Sequence, residues 1–283
     1  MDVNFDVWVD SGKDFSIDMN SGLDTFKGAS EVTRKVAETL LTKHVPKQLH
    51  HSNKIRTQLR QSFKGSFIQT FALSIDDPVL EENYKKIGKT AFIELLTYFM
   101  SEALYQESPD LSKKATSILK KLGDELTEKL VEELRVSALG HLHTVSNNFN
   151  QKVQLRYYKN KSKKEMVVLA KLDRATGEVL KPKTDKSIIT LEASITRLNI
   201  NTGNGRLQIK GEIGTTAFGF SQPGHYPQRD KVLKQKLSDN LHVNNVIGPD
   251  KKKWKTIKLQ AHSQRAKHGR IIKYIIEGIA DAK

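Results

Sequence analysis

The apolar residues of this 283-residue chain change their repeat near residue 150, and that change limits the folds open to it. Between residues 77 and 150 they recur mainly every three or four positions, which gathers them on one stripe of a helix. From Gln151 they recur every second position, in short runs separated by Gly, Asn, Asp and Lys, which places them on one face of a strand. Charge changes at the same point. Residues 1–150 hold 19 Lys and Arg against 21 Asp and Glu, a net of −2, whereas residues 151–283 hold 28 against 11, a net of +17, so the chain's +15 comes entirely from the second part. Two domains are expected, 1–150 and 151–283. The first is a near-neutral scaffold and the second a surface for a polyanion.

The first part opens as strands. Val3, Phe5, Val7 and Val9 alternate with polar residues, and Phe15, Ile17 and Met19 alternate again. Ser21, with Asp24 three residues on, approximates a capping box for a helix carrying Phe26, Ala29, Val32, Val36 and Leu40, which Pro46 stops. A second strand pair follows. Ile55, Leu59 and Phe63 lie on one face, Lys64-Gly65-Ser66 turns, and Phe67, Phe71, Leu73 and Ile75 lie on the next. Asp77-Pro78 then starts a stripe of Ile87, Ala91, Leu95, Phe99 and Ala103. Ser108-Pro109 breaks it before a second stripe of Ile118, Leu122, Leu126, Leu130 and Leu134. These two stripes predict a long antiparallel helical hairpin, which also offers a seam for homo-oligomers.

In the second part, short strands are expected in "KVQLRYY", "EMVVLA", "SIITLEAS", "TRLNI", "GRLQI", "TTAFGF" and "IIKYIIEGI", with one short helix in "RDKVLKQKLSDNL". That spacing predicts a small antiparallel barrel or sandwich. The fold class is therefore α+β: a small N-terminal sheet with a helix, a helical hairpin, and a basic β-barrel-like domain.

Three segments carry a resemblance: "IDMNSGLDTFKGASEV", "KGSFIQTFAL", and "ITRLNINTGNGRLQI" followed by "TTAFGF". Together they resemble a family of bacterial proteins known as a domain of unknown function. The resemblance implies an N-terminal α+β unit, a helical middle and a C-terminal barrel, in a genomic setting near phage-defence genes. It implies no functional residue.

The candidate binding residues come from charge and aromatic placement. In "TRLNINTGNGRLQI", Arg197 and Arg206 flank a turn in which Gly203 and Gly205 permit positive φ and Asn199, Asn201 and Asn204 suit turn geometry. Guanidinium and backbone N–H groups there could meet phosphates. "AFGF" resembles a strand of cold-shock-type barrels, whose exposed aromatics stack on bases, although Phe218 and Phe220 share one face and could equally fill a core. Arg156, Tyr157 and Tyr158 in "LRYYKNKSKK", and Lys251, Lys252, Lys253 and Trp254 in "DKKKWKTIK", combine cations with rings, as single-stranded nucleic acid requires. The partner expected is a nucleic acid, DNA or RNA, or a protein that carries one.

Catalytic signatures are sparse. Arg135 and His141 have the R-x(4–6)-H spacing of the HEPN ribonucleases, a resemblance weakened by Val136 where that family has a polar residue. His141, His143, His50 and His51 lack further ligands at metal-site spacing, and no cysteine is present, so neither a metal nor a cofactor is expected. No phosphate-binding loop, dinucleotide fingerprint or nucleophile elbow occurs. The reading is a non-enzymatic nucleic-acid-binding subunit, with a protein-interaction or oligomeric scaffold as the alternative and a HEPN-like ribonuclease second. The acidic start "MDVNFDVWVD" is unlike a secretory leader, and "KTAFIELLTYFM" is far shorter than the ~20 residues that span a bilayer. A soluble, cytoplasmic protein is expected.

Overall fold

A computed structural model describes residues 2–14, 16–60, 67–158, 165–200, 203–220 and 231–280. Phe15, Phe63, Lys64-Gly65-Ser66, Asn201 and the lysines between 159 and 164 lie outside them. The chain divides into two compact units, Met1–Leu180 and Lys181–Lys283. The boundary expected at 150 therefore moves to 180, because the strands just after residue 150 complete the first unit's sheet. No helix among the described residues is long and apolar enough to cross a membrane.

In the first unit β1 (Asp2–Val9) is the middle strand of an antiparallel sheet. The order is β2 (Ile55–Leu59), β3 (Phe67–Ile75), β1, β4 (Val153–Tyr158) and β5 (Met166–Leu172). Val3, Phe5, Val7 and Val9 are buried, as their alternation requires. Phe5 stacks on Phe71 and faces Tyr157, both register partners in the neighbouring strands. Leu59 departs from its expected face: it is 69% exposed near the outer end of β2.

Helix α1 runs from Met19 to Thr42, starting ahead of the expected cap and ending before Pro46. The expected strand over 15–19 is absent from described residues 16–19, and the cap is not Ser21 but Asp18. Its carboxylate accepts the Ser21 amide at 2.8 Å and starts the helix at Met19. Short alternation cannot compete with a filled cap. Residues Thr25, Thr33 and Thr39 are buried on α1, each donating its hydroxyl to the carbonyl four residues back.

The predicted hairpin of two long helices gives way to shorter pieces. Asp77 caps α2 (Pro78–Ile87) as its sequence indicated, accepting the amides of Val79 and Leu80. Gly88, at φ 78°, then separates it from α3 (Lys89–Ala103). Gly123, at φ 86°, separates α4 (Lys113–Leu122) from α5 (Asp124–Glu133) in the same way. A π-helical turn over Leu134–Ala138 leads into α6 (Leu139–Leu142) and α7 (Thr144–Phe149), and the short α8 (Arg174–Glu178) follows β5. The two apolar stripes survive these breaks: Leu95, Phe99, Leu130 and Leu134 are fully buried.

The second unit is a closed barrel. β7 (Ile189–Leu198), β8 (Gly205–Ile209) and β9 (Thr216–Gly219) form an antiparallel meander. Helix α9 (Lys231–Ile247), longer than expected, precedes β10 (Ile257–Arg265) and β11 (Ile271–Ile279). β11 pairs parallel to β9 and antiparallel to β10, and β10 returns to β7. The five strands thus close in the order β7-β8-β9-β11-β10, with the two-residue β6 (Lys183–Thr184) added to β10. Leu207, Phe218, Leu259, Tyr274 and Ile276 fill the interior together with Leu233 and Leu237 of α9.

Two buried asparagines of α9 complete the backbone pairing. The β7–β10 ladder stops at Ala193–Ile257, and two residues further along the same register Ile195 would stand opposite Lys255. Instead Asn240 Oδ1 accepts the Ile195 amide at 2.8 Å, and Asn244 Oδ1 accepts the Lys255 amide at 2.7 Å. Both asparagine amides donate to the Lys255 carbonyl. The helix therefore satisfies the groups that the strand end leaves open.

One position in α1 reverses an ordinary rule. Glycine inside a helix usually costs about 1 kcal/mol relative to alanine. A Cβ on Gly28, however, would lie 2.1 Å from the Leu142 amide nitrogen and 2.6 Å from its Cα, where α6 crosses α1. Backbone cannot yield as a side chain can. Gly28→Ala should lower stability by about 1–3 kcal/mol in urea denaturation, despite its better helix propensity; a stabilised variant would show that the crossing is looser than drawn.

Candidate nucleic-acid interface

The turn between β7 and β8 is built from the groups its sequence advertises. Asn199 donates its amide to the Asn204 carbonyl at 2.8 Å, and Gly203 donates to the Asn199 carbonyl at 2.7 Å. Gly203 takes φ 77°, the left-handed region in which glycine is favoured. Gly205 serves differently from expectation, for it has no positive φ. A Cβ there would stand 2.2 Å from the Arg197 carbonyl oxygen and 2.6 Å from the Phe218 ring, so the residue is fixed by close packing.

A bulge sets the direction of the two arginines. The β7–β8 register shifts between Ile195 and Arg197, so that Thr196 is the extra residue and Arg197 stands opposite Arg206. Leu198, one residue further, packs against the barrel core. The register continues: Arg206 pairs with Ala217 of β9, and Ala217 with Lys273 of β11. Arg197, Arg206, Ala217 and Lys273 consequently form one row across four strands. Arg206 is only 7% exposed, donating from Nε to Thr215 Oγ1 and from Nη2 to the Thr215 carbonyl, whereas Arg197 is exposed. Lys273 Nζ lies 3.4 Å from Asn204 Oδ1, and both side chains sit against Gly219, which follows Ala217 by two residues on the same face. Nearby, Glu192 accepts from Thr256 and Lys210, and these two contacts hold its carboxyl below the usual range.

The remaining candidates do not join this row. Phe218 and Phe220 are buried in the barrel core, so they are not an exposed stacking pair. Lys251, Lys252 and Lys253 form an exposed 3₁₀ turn, with Lys253 paired to Asp250 at 3.1 Å. Half-buried Trp254 donates Nε1–H to the Gly248 carbonyl and carries the Lys251 ammonium 5.6 Å from its ring centre. Arg156, Tyr157 and Tyr158 belong to the first unit's sheet, not to the barrel. Arg156 is buried against Asp6, its register partner, at 2.6 Å, and Tyr157 is 5% exposed in the core. Tyr158 is half-buried, its phenol pushed up by burial and by its hydrogen bond to Asp6. What looked like a basic aromatic track is sheet packing around a carboxylate supplied by a distant strand. Of the nine residues singled out, the structure aligns Arg197 and Arg206; Lys273 and Asn204 complete the group.

Arg135, His141 and His143 have partners within the first unit. Arg135 donates to the carbonyls of Ala103 and Glu102 at the end of α3 and lies over the Tyr105 ring. His141 Nδ1 is 2.8 Å from Glu31. His143 is fully buried, with Nδ1 on the Leu139 carbonyl and Nε2 on Thr176 Oγ1. Among the described residues, no group of three or more His, Asp or Glu is placed to hold a metal ion.

Two outcomes follow from these environments. Gly205→Ala should destabilise the barrel by about 1–3 kcal/mol, because the new methyl meets a carbonyl and a ring; an unchanged melting temperature would contradict that packing. Burial holds the His143 imidazole below its ordinary pKa. The unfolded chain accordingly takes up a proton that the folded core refuses, so protonation favours the unfolded state and stability falls as pH drops through the ordinary histidine range. The stability advantage of the native protein over His143→Gln should therefore shrink between about pH 8 and pH 5.5, by at most ~1.4 kcal/mol per pH unit. An advantage independent of pH would show that His143 titrates normally. Comparisons with protein-family models, curated proteins and solved structures find no match for this chain.

Proposed function

We propose that this chain is a non-enzymatic nucleic-acid-binding protein whose second unit carries the binding site. The observation that supports this reading is the connectivity of the barrel. A three-strand meander, a helix and two further strands, closed in the order first-second-third-fifth-fourth, is the arrangement of OB-type barrels. Such barrels bind oligonucleotides and oligosaccharides over their second and third strands and adjoining loops. Here those strands are β8 and β9, and the first of those loops is the Asn199–Asn204 turn.

Charge favours the first of these ligand classes. Residues 181–283 hold 20 Lys and Arg against 8 Asp and Glu, a net of +12, so moving the boundary to 180 leaves the barrel unit strongly basic. A neutral glycan gains nothing from that field, whereas a phosphodiester strand releases counterions on binding. The row from Arg197 to Lys273 adds cations beside the strands over which such barrels bind.

The test uses the full chain and a fluorescent single-stranded oligonucleotide of ~20 nucleotides, titrated at several salt concentrations. The logarithm of the binding constant should fall linearly with the logarithm of salt, with a slope near −0.7 for each phosphate contact. Arg197→Ala with Lys273→Ala should flatten that slope and cost about 1.5–3 kcal/mol per lost charged contact while the protein melts normally. Absence of binding at low salt, or binding indifferent to salt, would overturn the proposal.

A further inference from the structure

We infer that residues 251–258, where the chain passes from α9 into β10, are a second docking surface for a nucleic-acid backbone, separate from the β8–β9 face. This rests on the nucleic-acid reading above and adds a place at which the same ligand is held. In the barrel β10 lies between β7 and β11 and borders neither β8 nor β9, so the two surfaces are distinct.

The segment Lys251-Lys252-Lys253-Trp254-Lys255-Thr256-Ile257-Lys258 puts five lysines and no carboxylate into eight residues. All five lysines are exposed. Lys253 pairs with Asp250, just ahead of the segment, and Lys251 lies over the Trp254 ring. On β10 the neighbours Ile257 and Leu259 pack on the barrel core, so Lys258 between them points outward. Its register partner is Glu192, whose carboxylate also accepts from Lys210. One carboxylate thus stands between two ammonium groups.

A run of surface lysines is ordinarily a mobile, solvated loop. The backbone of this run is fixed. The Lys255 amide donates to Asn244 Oδ1 at 2.7 Å. Its carbonyl accepts from Asn240 Nδ2 at 2.9 Å, Asn244 Nδ2 at 3.0 Å and Ser194 Oγ at 2.9 Å. Those three side chains belong to buried residues of α9 and β7. One residue back, Trp254 ties its indole to the Gly248 carbonyl; one residue on, Thr256 donates to Glu192. Three consecutive residues in the middle of the lysines are therefore anchored. Holding like charges on a fixed frame keeps them from spreading apart, and their mutual repulsion is retained. A bound polyanion relieves it and releases its own counterions. Since the frame is set beforehand, binding does not have to order it. Ammonium groups act as point charges on phosphates, so this surface holds the strand whatever its base sequence.

The experiment titrates the full chain with a homopolymeric single strand and a mixed-sequence strand of equal length, at several salt concentrations. The variant Lys251→Gln/Lys252→Gln/Lys255→Gln should bind both strands at least about tenfold more weakly at low salt. Its salt slope should be shallower by about 2, or ~0.7 for each of three contacts. Its melting temperature should stay unchanged, because the replaced side chains are exposed. An equal loss of charge from exposed lysines of the first unit, Lys113→Gln/Lys120→Gln/Lys129→Gln, removes no phosphate contact and should leave affinity within about twofold. Native-like binding by the first variant, or equal weakening by both, would overturn the inference. The nucleic-acid reading would still stand if Arg197→Ala with Lys273→Ala weakened binding. Displacement of the strand by polyglutamate as effectively as by unlabelled strand would assign the surface to an acidic protein and overturn the inference as well. Failure of the native protein to bind either strand at low salt would remove both.

Discussion

Strand β10 carries hydrogen bonds on both edges, to β7 on one side and to β11 on the other, and this double pairing is what closes the second unit. An open sheet would leave a row of backbone donors and acceptors at each margin. Closure needs β11 to lie parallel to β9, which a short turn cannot achieve, and the segment containing α9 makes the crossover. Register shifts at Gln260–Ala261 and Gln264–Arg265 bend β10 against β11. Where β10 no longer reaches β7, Asn240 and Asn244 take over its backbone groups. The row of cations depends on this closure, since Lys273 joins it only through the β9–β11 pairing.

Local features were legible because their causes are local. Strand β8 occupies the residues 205–209 that "GRLQI" marked, and Asp77-Pro78 starts α2 because a carboxylate and a proline need only their own neighbours. β10 was not anticipated. Of its inward residues Leu259, Ala261 and Ser263 only Leu259 is strongly apolar, and the lysines before it read as loop. Barrel closure joins residues far apart in the chain and leaves no periodic trace. The same limit applies to the candidate site. Arg197 and Arg206 could be read as flanking one turn, but their alignment with Lys273 is a property of the closed sheet. Arg156 was misplaced for the converse reason, because the carboxylate that buries it stands at the opposite end of the first unit's sequence.

The helical part shows how a correct pattern can carry the wrong geometry. The i+4 stripes identified the buried residues well, since burial follows periodicity even across a break. Gly88 and Gly123 each take a positive φ inside those stripes, which turns the chain while the stripes stay buried. Two long rods become four shorter helices, and the surface available to another molecule changes although the list of buried residues scarcely does.

The Asp6–Arg156 pair joins strands separated by 150 residues of sequence. During synthesis β1 leaves the ribosome before its neighbour β4, which follows only after every helix up to α7. Until then one edge of β1, with the Asp6 carboxylate on it, faces solvent. The growing chain can form the helical layer and the β1–β3 pairing early, but the sheet is completed late, by a hairpin from beyond the helices. A slip of one residue in that docking would set Arg156 on the apolar face with Phe5 and Val7. The ion pair is therefore a checkpoint for assembly: it distinguishes the right alignment from its neighbours at the last step, when long-range loop closure is slowest to correct.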